Sequence, residues 1–209
     1  MKFYEITKDD CDCINNKIKE LSEINHTNYK RNIWAFYFMS IAEIDIHEIN
    51  NNDKDCIDYQ LNEIVKIAIK LILVSSGIKP IKIKMSDTKK IYTLLDNSIR
   101  CFVNNREYLN SSYYLLSIII HLGFCPIGCL KEKLDEYFSM KGENTDRGYF
   151  KKFKGAYDKD DLLEKLEQDY IMHDNIIDCK DYYSINFKNH EIAKYYKWYK
   201  ADYYKHLLK

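Results

Sequence analysis

Residues Phe187–Lys209, FKNHEIAKYYKWYKADYYKHLLK, interleave Tyr195, Tyr196, Trp198, Tyr199, Tyr203 and Tyr204 with Lys194, Lys197, Lys200 and Lys205. The pattern reads as a last helix beginning at Phe187 or Asn189 and running nearly to Lys209, with its aromatics packed inward and its lysines snorkelling outward. On that reading the chain ends as it proceeds, in helices separated by short breaks. Residues 174–187 carry no clear period. Asp158 caps a helix to about His173, with Leu162, Leu163, Leu166 and Tyr170 inward. Residues 141–157 hold Gly142, Gly148 and Gly155 and read as a surface loop. Pro126 fits the first turn of a helix to about Met140.

The same reading continues towards the N-terminus. Thr7 and Asp10 form a capping pair ahead of Ile14, Ile18, Leu21 and Ile24 at helical spacing. Asn25–Asn28 breaks that helix, and Tyr29–Ile49 forms the next, dense in aromatics at Trp34, Phe36, Tyr37 and Phe38. Asp55–Ser76 is a long helix with an apolar stripe from Leu61 to Ile72, stopped by Gly77. Lys79–Lys84 alternates apolar and charged residues, but one isolated strand is unstable, so an extended connector is expected. Ser86 or Asp87 caps a helix to about Asn104, and another runs from Asn105 to Gly123. The expected fold is therefore all-α: a single domain over 1–209 of about eight helices packed as stacked hairpins, with a subdivision near 78–87 and a flexible loop at 141–157.

Composition bounds the function. The chain has 209 residues, 46% hydrophobic, 31% charged and 14% aromatic, enough for a packed core and unlike a disordered chain. Six glycines and two prolines exclude collagen-like and linker-rich designs. Charge balances at 32 basic and 32 acidic residues, which disfavours a dedicated nucleic-acid binder. The apolar runs Ile64–Val74 and Tyr113–Leu122 are too short to span a bilayer, and Met1–Glu5 is no apolar signal region. The seven cysteines, an odd number, then read as reduced thiols in a cytoplasmic protein.

Chemical motifs are sparse. His121, Cys125 and Cys129 are spaced by four, but Gly123 and Pro126 interrupt the helix and no fourth zinc ligand is near. Cys11 and Cys13 point about 200° apart on a helix. There is no Gly-x-Ser-x-Gly elbow, and Gly142–Gly148 is not a phosphate loop. His190-Glu191 lacks the second histidine of a helical zinc protease. No catalytic residue, metal site or cofactor is expected. The Tyr- and Lys-rich C-terminus is the one place suited to single-stranded nucleic acid.

Charge is nevertheless blocked along the chain. Residues 43–63 carry seven acids against Lys54, residues 64–91 seven lysines against Asp87, and residues 158–181 nine acids against three lysines. Solvated helix faces account for such blocks. An acidic face can also dock on a basic partner and speed the encounter. The candidate contacts are Asp158, Asp160, Asp161 and Glu164 first, and Asp53, Asp55 and Asp58 second.

The run Tyr29-Lys-Arg-Asn-Ile-Trp-Ala-Phe-Tyr-Phe38 resembles the aromatic second helix of the PoNi group, all-helical bacterial immunity proteins that accompany polymorphic nuclease toxins. Tyr113–Ile119 with Leu130–Leu134 is similar to their middle segment, and Trp198-Tyr199 to a pair near their end. The resemblance implies a non-enzymatic cytoplasmic protein that occludes a cognate toxin, often with acidic residues facing a basic nuclease cleft. The expected function is thus a protein-binding inhibitor. The alternatives are a viral or phage-encoded protein that subverts a host factor, a zinc protein and a nucleic-acid binder.

Overall fold

The computed structural model describes residues 3–25, 33–45, 49, 53–84, 91–140, 142–144, 150–187 and 192–208. The chain forms two compact units, one of Met1–Glu23, Asn28–Leu134 and Asp202–Lys209, the other of Ile24–Thr27 and Asp135–Ala201. Among the described residues no helix is long and apolar enough to cross a membrane.

The first unit is built around an enclosed helix. Strand β1 (Phe3–Ile6) leads into α1 (Lys8–Asn25), then α2 (Ile33–Ala42) and α3 (Lys54–Val74). The expected capping pair is present: the Asp10 amide donates to Thr7 Oγ1 at 3.2 Å and the Thr7 amide to Asp10 Oδ2 at 3.1 Å. In α3, Leu61, Ile64, Val65, Ile67, Ala68, Leu71 and Ile72 are fully buried, so its middle is enclosed on nearly every side. Ser76 and Gly77 follow in the left-handed region, φ +68° and +110°, and end the helix. Asn15 of α1 then clamps the exit. Its side-chain amide donates to the Ile78 carbonyl at 3.0 Å and its oxygen accepts from the Ile78 amide at 2.8 Å.

Strand β2 (Ile81–Lys84) pairs antiparallel with β1, Tyr4 opposite Ile83 and Ile6 opposite Ile81. Helices α4 (Ile91–Asn105), α5 (Tyr108–His121) and α6 (Pro126–Ser139) follow. Two buried serines bring α4 and α5 together: Ser98 Oγ donates to the Ser111 carbonyl at 3.1 Å, and Ser111 Oγ to the Ser98 carbonyl at 2.9 Å. The Tyr37 hydroxyl joins them, 2.9 Å from Ser98 Oγ. Its ring stacks on Phe102 with centroids 3.8 Å apart. The last residues of the chain return to this unit. Cys125 donates its amide to the His206 carbonyl, Leu208 to that of Gly123, and the Tyr203 hydroxyl to Asn62 Oδ1 at 3.1 Å. An added Cβ at Gly128 would overlap the His206 ring, so only glycine fits there.

The second unit is a sheet with one helix on it. Strands β3 (Gly142–Asn144) and β4 (Phe150–Lys152) form a separate antiparallel pair. Strand β5 (Gly155–Ala156), helix α7 (Lys159–Gln168) and strands β6 (His173–Asp178), β7 (Tyr182–Phe187) and β8 (Ile192–Lys197) follow. The sheet order is β5-β8-β7-β6, with β5 parallel to β8 and the other neighbours antiparallel. Leu162 and Leu166 of α7 pack with Ala156, Tyr183, Ile185 and Tyr195 as its core.

The fold is mixed α/β, which corrects the all-α expectation. The expected last helix is strand β8 followed by a short 3-10 turn at Tyr203–His206. Its tyrosines fall at both helical and strand spacing, and the sheet selects the latter, burying Tyr195 with Ala193 packed alongside. Asn189, one expected start of that helix, lies outside the described residues. Residues 173–187 supply two further strands, so the preceding helix stops at Gln168 and not near His173. Leu163 and Tyr170 are exposed, not inward. Lys79–Lys84 contains a paired strand, not a bare connector, because its partner lies at the other end of α1 to α3. The stretch 141–157 holds β3, β4 and β5 in its described part, not a plain loop. The expected caps Ser86 and Asp87 and the helix start at Tyr29 lie outside the described residues.

Gly155 has its own packing constraint. A Cβ there would overlap the Trp198 indole. Gly155→Ala should therefore destabilise the protein by about 1–3 kcal/mol through overpacking. In a Trp198→Ala background the same change should cost little. Thermal melts of the four proteins measure this coupling, and additive losses would contradict the contact.

Candidate functional site

The acidic candidates divide by what the helix ends require. Asp53 is the N-cap of α3, accepting from the amides of Asp55 at 2.9 Å and Cys56 at 3.1 Å. Those backbone bonds hold its carboxyl below the ordinary value of 3.8. Asp55 sits in the first turn, where the helix dipole favours an acid. Burial first, and then the charges of Asp58, Asp55 and Asp53, push the Tyr204 phenol up. Tyr204 donates to the Lys54 carbonyl at 3.2 Å and carries Lys54 Nζ 4.5 Å above its ring. This acidic set thus borders the returning C-terminal segment of the first unit.

In the second unit Asp158 is the N-cap of α7 and accepts from the Asp161 amide at 2.8 Å. Asp161 accepts from the Tyr157 amide and from Lys165 Nζ, both at 2.8 Å. Both are engaged in building the helix start. Asp160 also sits in the first turn, where the dipole favours an acid, but among the described residues neither it nor Glu164 accepts a backbone bond. They are exposed one turn apart, and Glu167 continues the row another turn on. Glu164 accepts from Gln168 Nε2 at 3.0 Å, and none of the three is ion-paired among the described residues.

Tyr170 stands at the end of this row. The Ile171 amide donates to the Leu166 carbonyl at 2.8 Å and the Tyr170 amide to that of Glu167 at 2.9 Å, a Schellman ending. The residue between these bonds must be left-handed, and Tyr170 has φ +54°. Glycine takes that conformation without penalty, whereas an L side chain costs roughly 1 kcal/mol or more. The tyrosine side chain is 94% exposed, Met172 beside it 71%, and Leu163 within the acidic row is also exposed. The helical period of the sequence expects Leu163 and Tyr170 inside. The signal available was a helix end at Asp169-Tyr170 with no glycine.

A second polar cluster joins the end of α6 to β5 and α7. Buried Glu136 accepts from the Tyr157 hydroxyl and from the Ala201 amide, each at 3.1 Å. Burial, then Glu136, drives the Tyr157 phenol well up. Lys165 lies 4.9 Å from the Trp198 ring centroid and donates to the Gly155 carbonyl at 3.1 Å. Trp198 Nε1 is buried without a partner among the described residues. Every other group here is engaged in holding the chain together.

The first unit carries a groove of about 420 Å³ lined by Ile81, Ile83, Cys101, Glu107, Asn110, Tyr113, Tyr114 and Ser117. Burial, then Glu107, pushes the Cys101 thiol up, away from the reactive thiolate form. Among the described residues no histidine lines the groove. All seven cysteines are free. His121 is exposed, Cys129 is buried with its thiol driven well up, and Cys125 Sγ lies 3.0 Å from the Tyr4 hydroxyl. The structure does not bring the three together, and among the described residues no group of three or more His, Cys, Asp or Glu is placed to hold a metal ion.

Comparison with protein-family models, with curated proteins and with solved structures finds no match. The mixed fold also departs from the all-helical architecture that the resemblance to the PoNi group implies.

The Asp53 cap has a definite pH signature. Its folded pKa lies below its unfolded value, so its contribution is complete above the ordinary carboxylate value of 3.8 and is lost as pH falls through the lower folded pKa. Asp53→Ala should therefore melt below the wild type at pH 7, with the gap closing in strong acid. A gap independent of pH would mean that the cap does not act through its charge.

Proposed function

We propose that this chain is a non-catalytic protein-binding protein, and that the outward face of α7 is its contact with a basic protein partner. The observation that carries the reading is Tyr170, a large aromatic held almost wholly in solvent at a position where glycine would relieve the backbone. Tyrosines are enriched among the few interface residues that dominate binding energy. Asp160, Leu163, Glu164 and Glu167 fall at i, i+3, i+4 and i+7, so they line one helix face leading to Tyr170 and Met172. The acids would steer a basic surface to the site, and the apolar side chains would anchor it once water is excluded. Asp158 and Asp161 act on this face indirectly, by fixing the start of the helix. A basic toxin domain, the partner implied by the sequence resemblance, belongs to this class, and occlusion needs no chemistry from the inhibitor.

The test separates binding from folding. A tagged wild-type protein retains its partner from a lysate of the source organism, and the retained protein is then titrated against variants. Tyr170→Gly should leave the melting temperature equal or higher, yet weaken binding by about thirtyfold, the loss of roughly 2 kcal/mol expected of an anchor. Asp160→Asn with Glu164→Gln and Glu167→Gln should slow association and flatten its salt dependence. Undiminished affinity in both variants would overturn the assignment.

A further inference from the structure

We propose that the second edge of β2 receives an extended acidic segment of another protein, which adds as a third strand and lays alternate side chains into the neighbouring groove. This surface belongs to the first unit, shares no residue with the α7 face and does not depend on that reading.

Among the described residues β2 pairs with β1 alone. In an antiparallel pair, alternate residues direct their N–H and C=O groups away from the partner, so β2 presents backbone donors and acceptors along its other side. The groove borders the same strand. Ile81 and Ile83 line one wall, and Asn110, Tyr113, Tyr114 and Ser117, one face of α5, line the other. Among the described residues its lining comes from β2, from Cys101 of α4, from Glu107 and from α5, and not from β1. The Tyr113 hydroxyl fixes the strand entrance, donating to the Lys79 carbonyl at 2.9 Å and accepting from the Lys79 amide at 3.1 Å. A strand edge beside a helix-walled groove is the geometry of strand addition. Main-chain bonds supply affinity there, and alternate side-chain pockets supply selectivity.

Charge selects the occupant. Lys82 and Lys84 alternate with the two isoleucines and are exposed on the opposite face, and Lys79 is exposed at the strand's entrance. Lys82 reaches Glu5 at 3.5 Å, with both side chains mostly in solvent. The carboxylate lining the groove, Glu107, is engaged by Asn110 Nδ2 at 2.8 Å. A second copy of β2 at this edge would set lysine beside lysine, which is destabilising, whereas a strand with acidic residues on that face gains from each cross-strand pair. The fitting segment alternates small apolar residues, directed to the groove, with acidic residues, directed to Lys82 and Lys84.

The probe is a fluorescein-labelled peptide of four Val-Glu repeats with blocked ends, titrated into the full chain by anisotropy and by amide chemical shifts. Binding is expected, with shifts at residues 81–84 and at Asn110, Tyr113 and Tyr114. The Lys82→Gln/Lys84→Gln protein should bind about fivefold more weakly. Methylating one alternating set of peptide nitrogens should abolish binding, and methylating the other should leave it intact, because only one set faces β2. Ser117→Tyr, which fills the groove, should also abolish binding while the melting temperature reports an intact fold. No binding at about millimolar peptide would overturn the proposal. So would equal binding of four Val-Lys repeats, shifts confined to other residues, or tolerance of methylation at both sets.

Discussion

A helix that is apolar on all but one narrow stripe must be enclosed over the rest of its surface, and α3 makes that demand of the first unit. From Leu61 to Ile72 only the half-buried stripe of Asn62, Lys66 and Lys70 is left to water. At roughly 1.5–3 kcal/mol for each large aliphatic residue, this burial is the main favourable term available to the unit. Enclosure dictates how the neighbours pack. Helix α5 must be smooth enough to approach, which Ser111 and Ser112 provide at its start and the Leu115–Ile120 run completes. The serine pair between α4 and α5 meets the cost of close approach by satisfying its own hydroxyls. The C-terminal segment is drawn in by the same logic, because Tyr203, 1% exposed, has its hydroxyl bonded to Asn62 on α3.

What the sequence disclosed follows from which contacts are local. The Thr7–Asp10 cap, the ends at Gly77 and Gly123, the start at Pro126 and the cap at Asp158 were all legible, since each involves residues within one helical turn. The strands were not. Ile81–Lys84 has the alternation of a strand, but its partner Phe3–Ile6 lies far away in the chain, and no window that contains one contains the other. Residues Ile192–Lys197 are harder still. Tyr195, Trp198 and Tyr199 satisfy a helical period, while Ala193 and Tyr195 satisfy a strand period. The tie is broken by β7 and β5 on either side, which are tertiary facts. With few glycines and prolines, the usual punctuation of a sheet was also absent.

The acidic candidates show the same limit at the level of the site. A count of carboxylates treats Asp53, Asp158 and Asp161 like Asp160 and Glu164. The structure separates them by partner: the first three accept bonds from backbone amides at helix starts, and Asp161 also from Lys165. Charge blocks in helical regions are partly the consequence of capping, because the acids that stabilise an N-terminus collect there. The informative acids are the ones that accept no backbone bond at a helix start. Tyr170 was missed for a related reason: its period matched an inward position, and only the left-handed backbone beyond the last turn rotates it into water.

Net charge zero is therefore a poor summary of this molecule. The second unit offers an acidic helix face and the first a lysine-bearing strand edge, and each presents a sign that its own copies would repel when like faces meet. The strand edge makes the point most sharply. An exposed edge invites pairing with any extended chain, and lysine is the common defence. The defence is selective, because cross-strand repulsion acts only on cationic strands. A protein that guards an edge with lysines has by the same means made acidic strands the favoured visitors, provided the neighbouring surface accepts their alternate side chains. At β2 the groove walled by Tyr113 and Tyr114 meets that condition.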